Sequence, residues 1–359
     1  MKLFFLKERD PFESRAALTP SLCSKWRALG IELWAERGLG AKAGFLDTAY
    51  SNVHWVDEGT FIAPDVVIAI HPQEEILQRL PENTPHVSLL DRYHHEALIQ
   101  KYAASRQLLS LERIPRSTLA QKMDVQSSQA SIAGYAMVIQ AVAKLSRAVP
   151  MMTTPAGTVM PQRFLIIGAG VAGLQAIATA RRLGANVEAF DTRAEVEEQI
   201  KSLGAKCLKI ELGETGATAQ GYAKALTEEQ LRKQREGLSD ACQRADVVIT
   251  TAKLFGRAAP KIITAAMLEK MRPGSLVIDG AVSHGGNVDG SLKNQLQTLP
   301  NGVTLWGMAY PESYVATTAS ELLASNIYNL IEALLLKETR TLNTEHPIWQ
   351  ACRVVPENC

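Results

Sequence analysis

The sequence predicts an α/β protein with parallel sheets in two domains, and three observations carry that expectation. Short apolar runs alternate with helical patterns through both halves of the chain. One run, Phe164–Ile167, passes through closely spaced glycines straight into a helix-forming stretch. A chain of 359 residues is also long for one core and comfortable for two.

In the first half, Leu3–Leu6, Ile31–Trp34, Val66–Ile70, Val87–Leu90 and Leu108–Leu111 are expected as strands. Helices are expected between them at Ser21–Leu29, Glu74–Leu80 and His94–Arg106, with Pro72 and the Pro81–Pro85 stretch as punctuation. No phosphate-binding glycine fingerprint occurs here. Thr19-Pro20 reads as an N-cap with proline at the first helical position. Arg15 just before it reads as a surface charge paired with Glu13. His94 and His95 are adjacent, so they point in different directions and read as a solvated helix start. His54, His71, His86 and His346 are isolated and carry no signal.

The first domain ends in Arg116–Ser128, RSTLAQKMDVQSS, followed by a long helical pattern over Gln129–Ala148 that Pro150 stops. The residues alone leave two readings of Arg116, Gln121, Asp124 and Ser127. They form a hydrogen-bonded hinge, or a loop that reaches a ligand held by the next domain.

Gly168, Gly170 and Gly173 then stand in G-x-G-x-x-G spacing after the Phe164–Ile167 run. The helical pattern Leu174–Leu183 follows, Gly184 ends it, and Val187–Phe190 is a second strand finishing at Asp191. The glycines give a tight turn, a close approach of backbone to pyrophosphate and close helix–strand packing. The diphosphate sits on the open amides at the helix start. Asp191, 23 residues past Gly168, accepts from a ribose hydroxyl and repels a 2′-phosphate. This is a Rossmann-type dinucleotide site, with NAD(H) as cofactor. Gly168, Ala169, Gly170, Val171, Ala172 and Gly173 are the candidate loop, and Asp191, Thr192 and Arg193 the candidate ribose corner.

Beyond them lie a helix at Glu195–Leu203, a strand at Lys206–Ile210 and a polar Glu211–Gln220 stretch expected to be a mobile loop. Further strands are expected at Ala245–Thr251, Ser275–Val282 and Leu305–Met308, then an apolar helix at Ser320–Leu336 that crosses back, and a tail at His346–Cys359. Ligands of such sheets bind beyond the carboxyl ends of the strands. Thr250, Thr251, Ala252, Ala281 and Val282 are therefore the candidate nicotinamide lining. The domains are placed at 1–128 with 320–359, and at 129–319.

Composition excludes several classes. Hydrophobic content of 46% and charged content of 21% belong to an ordinary folded protein. A formal net charge of +1 leaves no electrostatic footprint for nucleic acid or an anionic membrane. Lys7, Glu8, Arg9 and Asp10 arrive too soon for a signal peptide. The apolar run from Phe164 to Ala180 is interrupted by three glycines, Gln175 and Thr179, which argues against a membrane span. Cys23, Cys207, Cys242, Cys352 and Cys359 are scattered without metal spacing, which suits a reducing compartment and no metal.

ESRAALTP, AQKMDVQSSQASIAGY, PAGTVMPQRFLIIGAGVAGLQAIATARRLGA and MRPGSLVIDGAVSHGGN, in that order, resemble the alanine dehydrogenase/nicotinamide nucleotide transhydrogenase family. Within that family the chain resembles the separate NAD(H)-binding N-terminal part of proton-translocating transhydrogenase alpha subunits more than the dehydrogenases, most strongly from Arg116 to Asn287. The resemblance implies two Rossmann-like domains joined by two long helices, with a cofactor cleft between them. It implies that Arg116, Gln121, Asp124 and Ser127 lie beside the nicotinamide. It makes Tyr222, in GYAK, part of a lid that closes over bound nucleotide. The activity implied is direct hydride transfer between NADH and NADP⁺ held on an NADP(H)-binding beta subunit. The resemblance also implies a membrane-spanning subunit that moves protons, and a cytoplasmic homodimer that is peripheral to the inner membrane through its partners.

Departures from the family pattern are Ser283, where an acid is usual, Tyr310 and Tyr314, where Asn and Arg are usual, and AKLFG for an ALIPG-like turn. The dehydrogenase branch uses a lysine and a histidine in its first domain. Ala69 and Asp91 correspond to them here, whereas Arg15 is shared by both branches. A non-catalytic NAD(H)-sensing subunit is the third reading, resting on the departures alone.

Overall fold

Leu3, Phe4 and Phe5 are wholly buried in β1 (Lys2–Phe5), so both faces of the first sheet are covered. The structure, a computed structural model, describes residues 1–60, 62–213, 215–216, 226–254 and 256–356. It divides into two compact units, Met1–Gln129 with Glu312–Cys359, and Ala130–Pro311.

The first unit continues through α1 (Cys23–Ala28), β2 (Glu32–Glu36), β3 (Val53–Val56), β4 (Val66–Ile68), α2 (Glu74–Arg79), β5 (Pro85–Ser88), α3 (Arg92–Ala103) and β6 (Gln107–Ser110). Helix α4 (Val125–Lys144) begins in this unit and ends in the second. The second unit holds the hairpin β7 (Met152–Thr154) and β8 (Gly157–Val159), then β9 (Arg163–Ile167), α5 (Val171–Arg182), β10 (Asn186–Phe190), α6 (Glu197–Ser202) and β11 (Lys206–Cys207). It closes with α7 (Glu228–Arg244), β12 (Val247–Thr250), α8 (Ala265–Glu269), β13 (Leu276–Asp279), β14 (Leu296–Thr298) and β15 (Thr304–Gly307). The chain re-enters the first unit through α9 (Ala316–Leu334), β16 (Leu335–Leu336), β17 (Thr341–Leu342), α10 (Pro347–Cys352) and β18 (Arg353–Val354).

Each unit carries one seven-stranded sheet. The first has the order β18-β6-β5-β4-β1-β2-β3 and the second β11-β10-β9-β12-β13-β15-β14. All pairs in both are parallel except those of β18 with β6 and β14 with β15. In the first unit, Leu323, Ile327, Leu330 and Ile331 of α9 join Leu3, Phe5, Leu33 and Ile68 in one core, while Phe4, Val67 and Ala69 meet Ile76 and Leu80 on the opposite face. In the second, Met137, Val138 and Ala141 of α4 pack with Phe164, Ile166 and Ile249, and Leu238 and Cys242 of α7 cover Leu165, Val248 and Val277. Burial of each such large side chain contributes about 2 kcal/mol.

The apolar runs become strands, and four local differences have plain causes. Strand β3 has no counterpart among the expected strands, because VHWV lies at a sheet edge and is only half covered. The β7–β8 hairpin is almost wholly exposed, so its residues carry no buried pattern. The run Lys206–Ile210 shortens to the two residues of β11, at an edge of the second unit's sheet. Helix α7, likewise without an expected counterpart, is polar enough to lack a broad apolar stripe and is started by a capping box between Thr227 and Gln230.

The Thr19-Pro20 expectation is corrected in part. Pro20 opens a 3₁₀ turn at Pro20–Leu22, yet Thr19 makes no side-chain cap; its Oγ1 lies 3.1 Å from Ser21 Oγ. The isolated His86 is fully buried on β5, its Nδ1 3.3 Å from Ser88 Oγ and its Nε2 without a hydrogen-bond partner. Burial pushes its pKa down from 6.5 to about 4. The folded chain therefore resists a proton that the unfolded chain accepts, and stability contributed by neutral His86 is lost as pH falls below about 6.5. Urea denaturation should show unfolding becoming easier from pH 6.5 toward 4, with His86→Leu flattening that slope; an unaltered slope in the variant would remove His86 as the cause.

Candidate nucleotide-binding site

The turn from β9 into α5 is built by its glycines. Gly168 takes φ +93, a left-handed conformation that other residues rarely adopt. A Cβ on Gly173 would lie 1.8 Å from the Gly168 carbonyl oxygen, so only glycine lets α5 settle on β9. Gly170 differs: its φ of −74 suits any residue, and a Cβ there would meet only Arg193 Nη2, at 3.9 Å. Nothing in the backbone conformation or the packing there requires a glycine. Gly170 is the N-cap of α5 and provides no side-chain cap, so the first amides of the helix face outward with the positive end of its dipole.

Other elements brace this loop. A Cβ on Gly134 of α4 would lie 2.1 Å from the Ala172 carbonyl, so α4 passes directly against the start of α5. Thr251 Oγ1 donates to the Gly168 carbonyl at 3.0 Å. Asp191, just after β10, accepts the Ala169 amide at 2.7 Å on Oδ2. It also takes Arg193 N and Nε at 2.9 Å each on Oδ1, and Arg193 Nη2 at 2.8 Å on Oδ2. Burial would raise the Asp191 pKa, but the bonds and charge of Arg193 and the two amides outweigh it and hold the carboxyl below its ordinary range. Thr192 and Val171 are partly and largely exposed, whereas Ala169 is buried.

At the carboxyl ends of β12 and β13, Thr250 and Ala281 are wholly buried, Val282 nearly so, and Thr251 and Ala252 half-buried. Two residues that sequence reasoning missed shape this edge. Asp279, wholly buried, accepts the amides of Ala281 (2.9 Å), Asn287 (3.2 Å) and Val288 (3.2 Å). Asn287 Nδ2 donates to the Ala252 and Pro260 carbonyls, both at 2.9 Å, and its Oδ1 accepts the Ala252 amide at 3.1 Å. Gly286, at φ +78, leaves room for Asp279 Oδ2, which would lie 2.4 Å from a Cβ. The G-G-N run after the strand is the signal that could have found them. Ser283 stands 3.0 Å from His284 Nδ1, and Tyr310 accepts Lys293 Nζ at 3.2 Å.

In the first unit, Asp124 and Ser127 are brought together at the start of α4. Asp124 Oδ1 accepts the Ser127 amide at 2.9 Å and Oδ2 its hydroxyl at 2.6 Å, an N-cap arrangement. Arg116 and Gln121 are exposed, Gln121 opening a 3₁₀ turn. Tyr222, and half of the polar stretch before it, lie outside the described residues.

Arg15 is not a surface charge. It is 3% exposed; Nε and Nη2 meet the two oxygens of buried Glu13 at 2.9 and 2.5 Å, while Nη1 meets Gln129 Oε1 at 2.8 Å and Glu312 at 3.1 Å. Burial would raise the Glu13 pKa, but Arg15 brings it down to about 2. Ala69 packs among Phe4, Leu6 and Ile76. His71, two residues on, has its Nδ1 3.0 Å from Glu8. Asp91 takes φ 41 and binds His94 Nδ1 at 2.7 Å, while His95 Nδ1 meets the Leu90 carbonyl at 3.0 Å; these histidines are tethered, not simply solvated.

A Gly-rich strand-to-helix turn with an acid at the end of the next parallel strand defines a Rossmann-type dinucleotide-binding protein. Residues 5–133 match the model of the alanine dehydrogenase/PNT N-terminal domain and residues 137–357 that of its C-terminal domain, and the chain belongs to this family. It is 39% identical, over 95% of its length and 92% of the relative's, to the first part of the NAD(P) transhydrogenase subunit alpha of Rhodospirillum rubrum. It is 37% identical to the protein so named in Rickettsia prowazekii, over 92% of this chain and 89% of the other. Among solved structures, transhydrogenase from Sinorhizobium meliloti matches with a TM-score of 0.87 at 35% identity, covering 99% of this chain and 98% of the other. An L-alanine dehydrogenase shares the fold, with a TM-score of 0.73 at 21% identity and coverage of 98% and 99%.

The two glycines predict opposite phenotypes. Gly173→Ala should lower the melting temperature by several degrees, because the helix must lift off β9. Gly170→Ala should melt within a degree or two of the parent yet bind NADH at least ten-fold more weakly in a fluorescence titration. Equal behaviour of the two variants would refute this division of roles.

Proposed function

We propose that this chain is the NAD(H)-binding subunit of a proton-translocating transhydrogenase, working with an NADP(H)-binding beta subunit and a membrane-spanning subunit. The observation that carries the reading is the tie of Asp191 to Ala169, which sets a ribose-binding acid against the bare start of α5. The names of the relatives support the reaction. The loop Gly168–Gly173 and the first amides of α5 hold the pyrophosphate, and Asp191 orients the adenosine ribose. Thr250, Thr251, Ala252, Ala281 and Val282 bound the nicotinamide, on an edge that Asp279 and Asn287 keep rigid. Arg116, Gln121, Asp124 and Ser127 position the nicotinamide end.

When bound, NADH supplies the hydride that the partner's NADP⁺ accepts. That exchange makes and breaks no O–H or N–H bond, so this chain's residues need only hold the ring in place and exclude water. Among the described residues no helix is long and apolar enough to cross a membrane, which fits the assignment of proton movement to a partner. The chain acts as a homodimer on the cytoplasmic side of the inner membrane.

An alanine dehydrogenase activity is disfavoured by Ala69 and Asp91, which stand where that branch uses a lysine and a histidine. Ala69, inside an apolar cluster, can move no proton.

NADH should bind at least ten-fold more tightly than NADPH, and Asp191→Asn should narrow that gap, since it removes the charge facing a 2′-phosphate. Equal affinities in the parent chain would sink the cofactor assignment. With partner subunits present, Arg116→Ala should cut hydride transfer to an NADP⁺ analogue ten-fold or more while changing the NADH dissociation constant less than three-fold. Normal turnover would return that loop to the hinge reading, and alanine-dependent NADH formation by the pure chain would favour the dehydrogenase.

A further inference from the structure

The Asp191 carboxylate is engaged by four donors from its own chain. Arg193 provides three of them, through N, Nε and Nη2, and Ala169 the fourth. A carboxylate offers about four lone-pair positions, so the acceptor capacity that a ribose diol would use is taken up internally. Both side chains are largely buried, Arg193 at 14% exposure and Asp191 at 6%. The same guanidinium lies beside the glycine loop, with Nη2 3.9 Å from where a Cβ on Gly170 would be. One cation thus stands where the acid, the loop and the helix start meet. In this fold that corner receives the 2′ position of an adenosine ribose.

We propose that Arg193 is a specificity-determining residue of this site, setting how strongly it discriminates against a nucleotide carrying a 2′-phosphate. The proposal rests on the NAD(H) reading above. An aspartate alone would meet a 2′-phosphate, itself close to doubly charged, with unrelieved repulsion. Here the aspartate carries its own counter-cation. A guanidinium forks onto phosphate as well as onto carboxylate, so a 2′-phosphate can take Arg193 over from Asp191. An unmodified ribose must instead displace Arg193 to reach the same oxygens. Arg193 therefore works against adenosine binding and in favour of a 2′-phosphate, and the site selects less sharply than its acid alone would.

The test uses the full-length chain and two small probes, adenosine 2′-phosphate and adenosine 5′-phosphate, each titrated directly by calorimetry beside a fluorescence titration of NADH and NADPH. Arg193→Gln should weaken the 2′-phosphate at least ten-fold relative to the 5′-phosphate, and should widen the NADH-over-NADPH ratio by a similar factor. That is the opposite sign to Asp191→Asn. Arg193→Lys, which keeps the charge but loses the fork, should fall between parent and Arg193→Gln, and it provides the comparison if the glutamine variant folds poorly. A ratio that moves less than three-fold, or narrows, in both variants overturns the proposal. Arg193-dependent binding of adenosine 2′-phosphate by a chain that binds no NADH would instead overturn the cofactor reading and leave the role of Arg193 standing. Normal NADH binding with Arg193-independent binding of both probes does the reverse.

Discussion

The carbonyl of Gly168 occupies the space where any side chain on Gly173 would begin, 1.8 Å from the position of a Cβ. That contact brings α5 down onto β9 and leaves its first amides open at the end of the sheet. The neighbouring elements are arranged around the same few atoms. Gly134 lets α4 reach the Ala172 carbonyl, Thr251 holds the Gly168 carbonyl from β12, and Asp191 holds the Ala169 amide from β10. A larger residue at either of two glycines would separate these elements. A mobile loop could not present amides to a pyrophosphate at fixed spacing.

The carboxyl end of β13, in the same sheet, is organised by a buried acidic side chain. Asp279 takes three backbone amides from the turn that follows β13, and the approach is possible because Gly286 has no side chain in its way. Asn287, placed by that turn, reaches back to Ala252 and so joins the ends of β12 and β13. A carboxylate surrounded by amides in this way satisfies groups that would otherwise be buried unpaired, which makes the edge stiff.

In the first unit the equivalent constraint is Arg15. Its guanidinium meets Glu13 in its own segment, Gln129 where the chain leaves the unit and Glu312 where it returns. Removing one member of such a buried group strands the others without partners, at a cost of about 3–5 kcal/mol. Arg15 here is thus a structural ion-pair centre.

The alternation of strand and helix was legible because strands covered on both faces read as unbroken apolar runs, as in Phe164–Ile167 and Val247–Thr250. The glycine loop and Asp191 were legible for a related reason: their spacing is a local consequence of one turn and one strand. Edge strands and the exposed hairpin were not, since partial burial leaves no such pattern. The sequence by itself therefore determined the fold class and the Gly-rich strand-to-helix turn, both of which depend on neighbours a few residues apart. Only the tertiary structure decided that Arg15 is buried, that Arg193 fills the acceptors of Asp191, that Asp279 ties down a turn and that His86 lies in the core. Each of those outcomes depends on burial or on which side chains the packed chain brings together, and residue type and spacing alone do not encode them.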